Sequence, residues 1–367
     1  MEFKKFFEEV PDFRINRRKR HQLSDILAIS LCAVVCGAND FEEIAMYGNQ
    51  KIEFLRSFLA LPNGIPSHDT FNRVFKFLDK DKFGACLYRW SKEILAGLQE
   101  ISHLCIDGKV LKGTAASGQK KSGICIVSAW VAEHRLVLGQ QKVDSKSNEK
   151  TAIPELLDSL DLKGSLVSID AIACEQKNAD LIVEKGGHYL LALKKNNKHI
   201  YEQVSERMLA NSSQLPHYQA IDFGSGRIES RTCYVESHLD LYDDLANWKH
   251  LKSIVMVESK REIKEKTSVE YRFYLSSLAL CAQEFNEHIR KHWSIENSLH
   301  WQLDVSFSED RQRVRQGNAA DNFATIRKLS LQLLNQVQDK ESIKNRRKMA
   351  GWSDQYLANI FTNFLCV

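Results

Sequence analysis

Two aspartates in this chain stand where carboxylates could do chemistry. Asp107 lies in the segment CIDGK, near the end of an apolar run, and Asp170 ends the apolar segment SLVSID. Burying a charge without a partner is costly, so an apolar run that ends in a carboxylate is a poor core element. It can instead hold a hard cation, because Mg²⁺ prefers oxygen ligands and leaves positions open for phosphate oxygens and water. Two such ions can activate water and stabilise a leaving phosphodiester oxygen, so the pattern predicts metal-assisted phosphoryl transfer.

A third acid, Glu296, lies in the aromatic-rich segment HWSIENSLHWQLDV, which is typical of a helix. His292, Glu296, His300 and Asp304 recur every four residues and would form one stripe along that helix. The stripe also allows a zinc site, but the two histidines would lie about 12 Å apart along the helix axis, too far for one ion to bridge. A zinc site would need ligands from elsewhere, whereas phosphoryl transfer needs only one carboxylate here.

Some of these side chains also have ordinary structural interpretations. Taken alone, Asp107 fits a turn residue after a strand, since Gly108 follows it. Trp293 and Trp301 could stack on a displaced base or pack in a core, and the sequence favours neither.

The composition bounds the class of protein without deciding it. A chain of 367 residues, 43% of them hydrophobic, is long enough for two or three folded domains. The net charge of +4 gives no strong nucleic-acid signal over the whole chain. Local clusters, RINRRKRH at 14–21 and KNRRK at 344–348, fit either DNA contacts or solvated surfaces about equally well.

Cysteine usage and hydropathy predict the compartment. The nine cysteines form no C-x-x-C pair, and most lie in apolar runs, which favours free thiols in a reducing cytosol. No signal peptide is visible, and the longest apolar run, 26–38, is shorter than the ~20 residues of a membrane-spanning helix. We therefore expect a cytoplasmic protein without a membrane partner, with residues 26–38 forming a buried helix.

The order of predicted elements explains how the first two acids could meet. After a mostly helical section, 1–100, come three strand-like runs, then helix, strand, helix and strand up to about residue 194. That order predicts an α/β fold with a mixed sheet and flanking helices, and it matches the ribonuclease-H-like order of elements. In such a fold the first and fourth strands are neighbours, which would bring Asp107 beside Asp170.

The remaining segments complete the predicted domain organisation. Residues 215–280 are rich in strands and read as a β-rich insertion before the helix that carries Glu296. We therefore expect a helical N-terminal domain that contacts DNA at 1–100, a catalytic domain at 101–336, and a basic helical C-terminal tail at 337–367.

Several motifs together resemble one protein family. IDGK, SIDAIACEQ, HYLLALKKNN, GRIESR and IRKHWSIENSLHWQLDVSFSED resemble the DDE transposases of bacterial insertion sequences, and most closely their H-repeat-associated, or Rhs-linked, group. PSHDTFNRVF is similar to the helical domain associated with that group. The resemblance implies that Asp107, Asp170 and Glu296 are the catalytic, metal-binding triad of a ribonuclease-H-like core.

The resemblance also implies partners and a reaction. The expected protein binds terminal inverted repeats and target DNA as a homodimer, and cleaves and joins strands with two Mg²⁺ or Mn²⁺ ions. We expect it to be bacterial and associated with the nucleoid when bound to DNA. A structure-selective nuclease without strand transfer and an inactive DNA-binding remnant are the alternatives. The predicted DNA contacts are Arg14, Arg17, Arg18, Arg20, Lys109, Lys112, Lys194, Lys195, Arg290, His292, Trp293 and His300.

Overall fold

The structure is a computed structural model that describes residues 4–16, 19–96, 103–115, 123–143, 149–224, 227–263 and 266–363. Its strands lie in one sheet. They are β1 (His103–Leu111), β2 (Ile124–Val131), β3 (Leu136–Lys142), β4 (Leu166–Ile169), β5 (His188–Leu193), β6 (His217–Gly224), β7 (Arg227–Glu236), β8 (Ser253–Ile263) and β9 (Lys266–Ser276).

The helices cover one end and both faces of that sheet. They are α1 (Lys4–Glu8), α2 (Leu23–Val35), α3 (Phe41–Gln50), α4 (Ile52–Arg56), α5 (His68–Phe77), α6 (Lys80–Ala96), α7 (Glu149–Ser159), α8 (Gln176–Glu184), α9 (Lys198–Asn211), α10 (Ala282–Ser294), α11 (Trp301–Val305), α12 (Ala319–Asn335), α13 (Ile343–Trp352) and α14 (Asp354–Asn363). Among the described residues, no helix is both long enough and apolar enough to cross a membrane.

The sheet is mixed, with strand order β3-β2-β1-β4-β5-β9-β8-β7-β6. Strands β1, β4 and β5 run parallel to one another, while β2 and β3 extend one edge as an antiparallel meander. The neighbouring positions of β1 and β4 confirm the predicted pairing of the first and fourth strands. The strands expected in 215–280 form β6 to β9, and they continue the same sheet because β9 pairs with β5.

Local sequence explains why the N-terminal section folds into helices. Every side chain of α2 is buried, as expected for the apolar run at 26–38. At α5 the side chain of Ser67 accepts a hydrogen bond from the Thr70 backbone N–H, which caps the helix. One hydrophobic cluster joins these helices to the sheet, so the N-terminal helices share their core with the rest of the chain.

Helix α12 is the centre of that core. Every residue from Ala319 to Leu334 is buried, including Arg327 and Lys328. The helix packs against α2, α5, α6 and β3, so no face of it reaches solvent. Its cations must therefore be satisfied inside the protein.

The basic cluster at 344–348 is divided: its two arginines are buried, whereas Lys344 and Lys348 are exposed. Arg346 donates hydrogen bonds to Asp339 and to the carbonyl of Leu334, and Arg347 donates to the carbonyls of Val34 and Ser306. Both side chains are buried. These two arginines fasten α13 to its neighbours and do not face a partner.

Candidate active site

Asp107 and Asp170 lie side by side at the same edge of the sheet. In the parallel ladder between β1 and β4, Cys105 is opposite Ser168 and Ile106 is opposite Ile169. The next residue on each strand is one of the two aspartates, and neighbouring strands lie about 4.8 Å apart. The sheet therefore brings the two predicted carboxylates together.

A lysine ammonium neutralises the second of these carboxylates. Nζ of Lys194, just after β5, lies 3.0 and 3.3 Å from the two oxygens of Asp170. Burial raises the pKa of the Asp170 carboxyl, but the backbone N–H of Ala171 and the Lys194 ammonium outweigh burial and lower it below its usual value. Asp170 is therefore ionised at neutral pH and is paired with a cation.

Helix α10 is anchored to the same region through a chain of polar side chains. Oγ of Ser168 lies 2.8 Å from His292 Nδ1 and 2.7 Å from His103 Nε2. Burial lowers the pKa of His292 to about 4, although the Asp170 carboxylate opposes the shift. Since a hydroxyl can donate one hydrogen bond and accept another, Ser168 can join the two imidazoles. His292, predicted as a DNA contact, is thus a buried group that fixes the helix.

Beyond α10 the chain continues as a π-helical segment, Ile295–His300, which leads into α11. Nδ1 of His300 lies 3.5 Å from one carboxylate oxygen of Asp107, and the other oxygen accepts a hydrogen bond from the backbone N–H of Gly108. Burial, together with the positive charges of Lys109 and Lys328, lowers the pKa of His300 to about 3. This imidazole is therefore neutral, and it supports Asp107 from the helix side.

Glu296 lies between these two anchoring histidines on the π-helical segment. Its side chain is exposed. It is near Arg272 of β9, because its charge contributes, after Glu270 and Tyr274, to a rise in the guanidinium pKa that overcomes the lowering effect of burial. π-Helical turns are rare and are frequent at functional sites. The segment thus presents Glu296 to solvent near Arg272 of β9.

The side chains at this site provide only some of the ligands that a hard cation such as Mg²⁺ needs. Asp107 and Asp170 offer oxygen ligands on adjacent strands, and the contact of Lys194 with both oxygens of Asp170 shows that a positive charge is accommodated there. Within the described ranges, however, no group of three or more His, Cys, Asp or Glu side chains is arranged to hold a metal ion. Glu296 is therefore not assembled with the two aspartates into a three-ligand cluster.

Behind the site lies a buried charge network that the sequence did not indicate. Nζ of Lys109 lies 2.5 Å from Asp304 and 2.7 Å from Glu309, and its side chain is only 11% exposed. The charges of Arg327 and Lys328 also act on Glu309 and lower its pKa against the effect of burial. Lys109 was predicted to contact phosphate, but in the structure its ammonium neutralises these two acids. The available signal was the pair of cations inside the apolar segment FATIRKLSLQLLNQ.

The other predicted DNA contacts are spread over the surface. Arg14 is held by Asp12 and by the carbonyl of His21, whereas Arg20 is exposed. Arg17 and Arg18 lie outside the described residues. Lys112 is 78% exposed and pairs with Asp310.

Three further predicted contacts lie just after β5 and on α10. Lys195 is exposed in the turn after β5. Arg290 pairs with Asp222 of β6 at 2.7 Å. Trp293 is half-buried, with the Arg272 guanidinium 4.3 Å above its ring. The tryptophan therefore packs against the core on one side and carries a cation on the other.

Comparison with known families identifies the class. Residues 98–333 match the family model described as "Transposase DDE domain", and residues 4–91 match one described as "DDE_Tnp_1-associated". The chain belongs to the DDE transposase family.

Named relatives agree with this assignment over nearly the whole chain. The chain is 37% identical to "Putative transposase YncI" of Escherichia coli O157:H7, over 98% of this chain and 94% of that protein. It is 36% identical to "H repeat-associated putative transposase YhhI" of Escherichia coli strain K12, over 98% of both chains. The resemblance to H-repeat-associated transposases expected from the sequence motifs is thus confirmed.

Proposed function

We propose that this protein binds the ends of its insertion sequence and carries out metal-dependent DNA cleavage and strand transfer at Asp107, Asp170 and Glu296. The observation that carries the proposal is the alignment of Asp107 with Asp170 on parallel strands β1 and β4. The strand order β3-β2-β1-β4-β5 supports a ribonuclease-H-like core, with β6 to β9 as its β-rich extension. Membership of the DDE transposase family supports the reaction type.

The metal site proposed here uses the three acids as ligands. When bound, Mg²⁺ or Mn²⁺ ions, two in this proposal, would lower the pKa of an attacking water and stabilise the leaving oxygen of the phosphodiester. The chain's own contribution is to keep the carboxylates ionised and in place. Lys194 lowers the pKa of Asp170, while His300 supports Asp107 from the helix side. Glu296 stays exposed, so it is accessible as the third ligand.

DNA would approach the solvent side of this sheet edge. Lys195 is exposed next to Lys194, which contacts Asp170, while Arg290 is exposed on α10 and Trp293 offers part of a ring face. Such groups bind phosphates and stack on bases without reading much sequence. Recognition of the terminal repeats is assigned to the N-terminal helices, with Arg20 among the contacts. Because two ends must be brought together, the proposed assembly on DNA is a homodimer.

The experiment compares cleavage with binding in matched variants. Asp107→Asn, Asp170→Asn and Glu296→Gln should each abolish cleavage of labelled element-end DNA in Mg²⁺ and leave its binding in EDTA nearly unchanged. Asp158→Asn, at an exposed acid on α7, serves as the control and should cleave like the natural protein. Natural-level cleavage by any of the three variants would remove that residue from the site.

A second measurement separates the transposase from a nuclease. Labelled ends are incubated with a supercoiled plasmid, and covalent joining is scored on a denaturing gel. Joined products that vanish in Asp107→Asn are expected. Cleavage without joining would favour the structure-selective nuclease, and binding without either reaction would favour the inactive remnant.

A further inference from the structure

An extended segment between α11 and α12 presents three arginines that were not among the predicted DNA contacts. Along RQRVRQ, Arg311, Arg313 and Arg315 are exposed, while Gln312 is buried and Val314 is half-buried. The chain is extended from Gln312 onward, and successive side chains of an extended chain point to opposite sides. Arg313 and Arg315 therefore share one face, and Arg311, which ends the 3₁₀ turn Glu309–Arg311, is exposed just before them. We call these three residues the arginine strip.

The strip is held rigidly at its start. A Cβ on Gly113 would lie 2.5 Å from the carbonyl oxygen of Gln312, so only glycine allows the end of β1 to approach the segment this closely. The Gln312 side chain accepts a hydrogen bond from the buried Arg327, and Arg315 donates to the carbonyl of Gly113 at 3.2 Å. The start of the strip is thus fixed to the strand that carries Asp107.

Its far end is held in the same way against α5. Gly317 has a φ of +57°, and a Cβ there would lie 2.5 Å from the Lys76 carbonyl oxygen. The backbone N–H of Asn318 donates to that same carbonyl, and Nζ of Lys76 lies 2.9 Å from the Gln316 side chain. A rigid strip loses little conformational entropy when a ligand binds, which favours affinity.

The guanidinium groups are available to a ligand. Among the described residues, no carboxylate lies within salt-bridge distance of Arg311, Arg313 or Arg315, in contrast to Arg231 and Arg290, which both pair with Asp222. The strip lines a cavity of about 610 Å³ whose other wall includes Asn72 of α5. Asp40, the N-cap residue of α3, also lines this cavity, and its side chain accepts a hydrogen bond from the Glu43 backbone N–H. The face is therefore concave and carries three exposed guanidinium groups against one carboxylate.

We propose that the arginine strip binds the phosphate backbone of a DNA duplex that runs from the catalytic edge of the sheet towards α5. From Arg311 to Arg315 the strip spans about 13 Å, or roughly four nucleotide steps along one strand. Lys76, beside Gln316, adds a positive charge at the far end of the strip, whereas Lys112, beside Gly113, is paired with Asp310. The strip deepens the proposed function, on which it rests, by naming the surface that orients the duplex.

The test is the salt dependence of DNA binding. The triple variant Arg311→Gln, Arg313→Gln, Arg315→Gln and the natural protein are titrated against a labelled random-sequence duplex at several salt concentrations. Each lost phosphate contact lowers the log–log slope by about 0.9, so a decrease of up to about 2.7 and an affinity loss of tenfold or more are expected. The charge-preserving triple Arg→Lys variant should keep most of the slope.

A matched control removes the same charge elsewhere. Lys163, Lys249 and Lys252 are exposed and lie at the edge of the sheet where β4 and β8 begin, opposite Asp170. Their triple replacement by glutamine should leave the slope unchanged. If circular dichroism shows that the arginine triple variant is misfolded, Arg313→Gln alone is used, with an expected slope decrease of about 0.9.

Each outcome supports or overturns the inference. If the natural protein cleaves DNA while the arginine variants bind it with unchanged affinity and slope, the strip is only a solvated surface, and the proposed function stands. If the natural protein binds but does not cleave, and the variants lose slope, the strip stands and the proposed reaction fails. Equal slope losses in the lysine control would also overturn the inference, because the effect would then be one of net charge.

Discussion

Replacing Lys109 tests whether the charge network behind the carboxylates is structural. The Lys109 side chain is 11% exposed and that of Glu309 only 2%, and their charged atoms are 2.7 Å apart. Lys109→Met would leave Glu309 and Asp304 without this ammonium. Removing one member of a buried ion pair costs about 3–5 kcal/mol, because the remaining charge stays desolvated.

The structure indicates the lower end of that range. Arg327 and Lys328 still act on Glu309 when Lys109 is absent, and Asp304 keeps a side-chain exposure of 30%. We therefore expect Lys109→Met to lower the free energy of unfolding by about 3 kcal/mol. Urea unfolding, followed by circular dichroism and extrapolated to water, measures the difference.

Two further variants sharpen the comparison. Lys112→Met, three residues away and on an exposed side chain, should leave the urea midpoint unchanged. The double variant Lys109→Met, Glu309→Gln should recover part of the loss, since both charges of the pair are removed together. The reasoning is refuted if Lys109→Met unfolds at the midpoint of the natural protein and instead weakens DNA binding, because Lys109 would then face the phosphates.

Two other predictions concern titration. Lys194→Met removes the ammonium that lowers the pKa of Asp170, so the pKa of Asp170 should rise. The acid limb of the pH–rate profile for DNA cleavage should therefore move to higher pH. If the limb does not move, Asp170 is not the group that titrates there. The free energy of unfolding should also fall between about pH 8 and pH 10. Burial raises the pKa of several thiols, to about 12 in each of them except Cys32, whose pKa burial raises well above its usual value. They stay protonated in the folded chain while unfolded thiols ionise, and each costs about 1.4 kcal/mol per pH unit above its unfolded pKa. Burial lowers the pKa of Lys328 to about 8, and this shift makes the free energy of unfolding rise with pH over the same range. Lys328 is one group, however, and the thiols are several. Urea unfolding at several pH values in this range measures the free energy of unfolding, and a constant value would contradict the prediction. The thiols concerned are those of Cys32, Cys36, Cys86, Cys105, Cys174 and Cys233.

The sequence predicted what depends on local pattern. Strand periodicity located β1 to β5, and their order was enough to place Asp107 beside Asp170. The buried helix at 26–38 was likewise visible, because it is determined by residues close together in the chain.

What it could not predict depends on partners far apart in the chain. The acids that neutralise Lys109 follow it by about 200 residues, so the lysine in IDGK looked like a phosphate contact. The same holds for Arg347, whose acceptor, the Val34 carbonyl, lies 313 residues away. A short basic run shows only that charge is present, and tertiary packing decides whether that charge faces solvent.

The stripe of four polar residues in the α10–α11 region shows how packing divides roles among similar side chains. His292 contacts Ser168 of β4, while His300 and Asp304 lie over Asp107 and Lys109 of β1. Four residues of helix rise about 6 Å, and two residues of strand span about 6.6 Å. The helix spacing therefore matches the strand spacing, which lets His300 meet Asp107 while Asp304 meets Lys109.

Glu296 is the one member of this stripe that is exposed. His292, before it, and His300 and Asp304, after it, contact the sheet. The backbone on both sides of Glu296 is therefore fixed. An exposed acid on a fixed backbone can accept a ligand with little loss of conformational entropy. This argument, more than its position in a motif, favours Glu296 as the third acid of the proposed site.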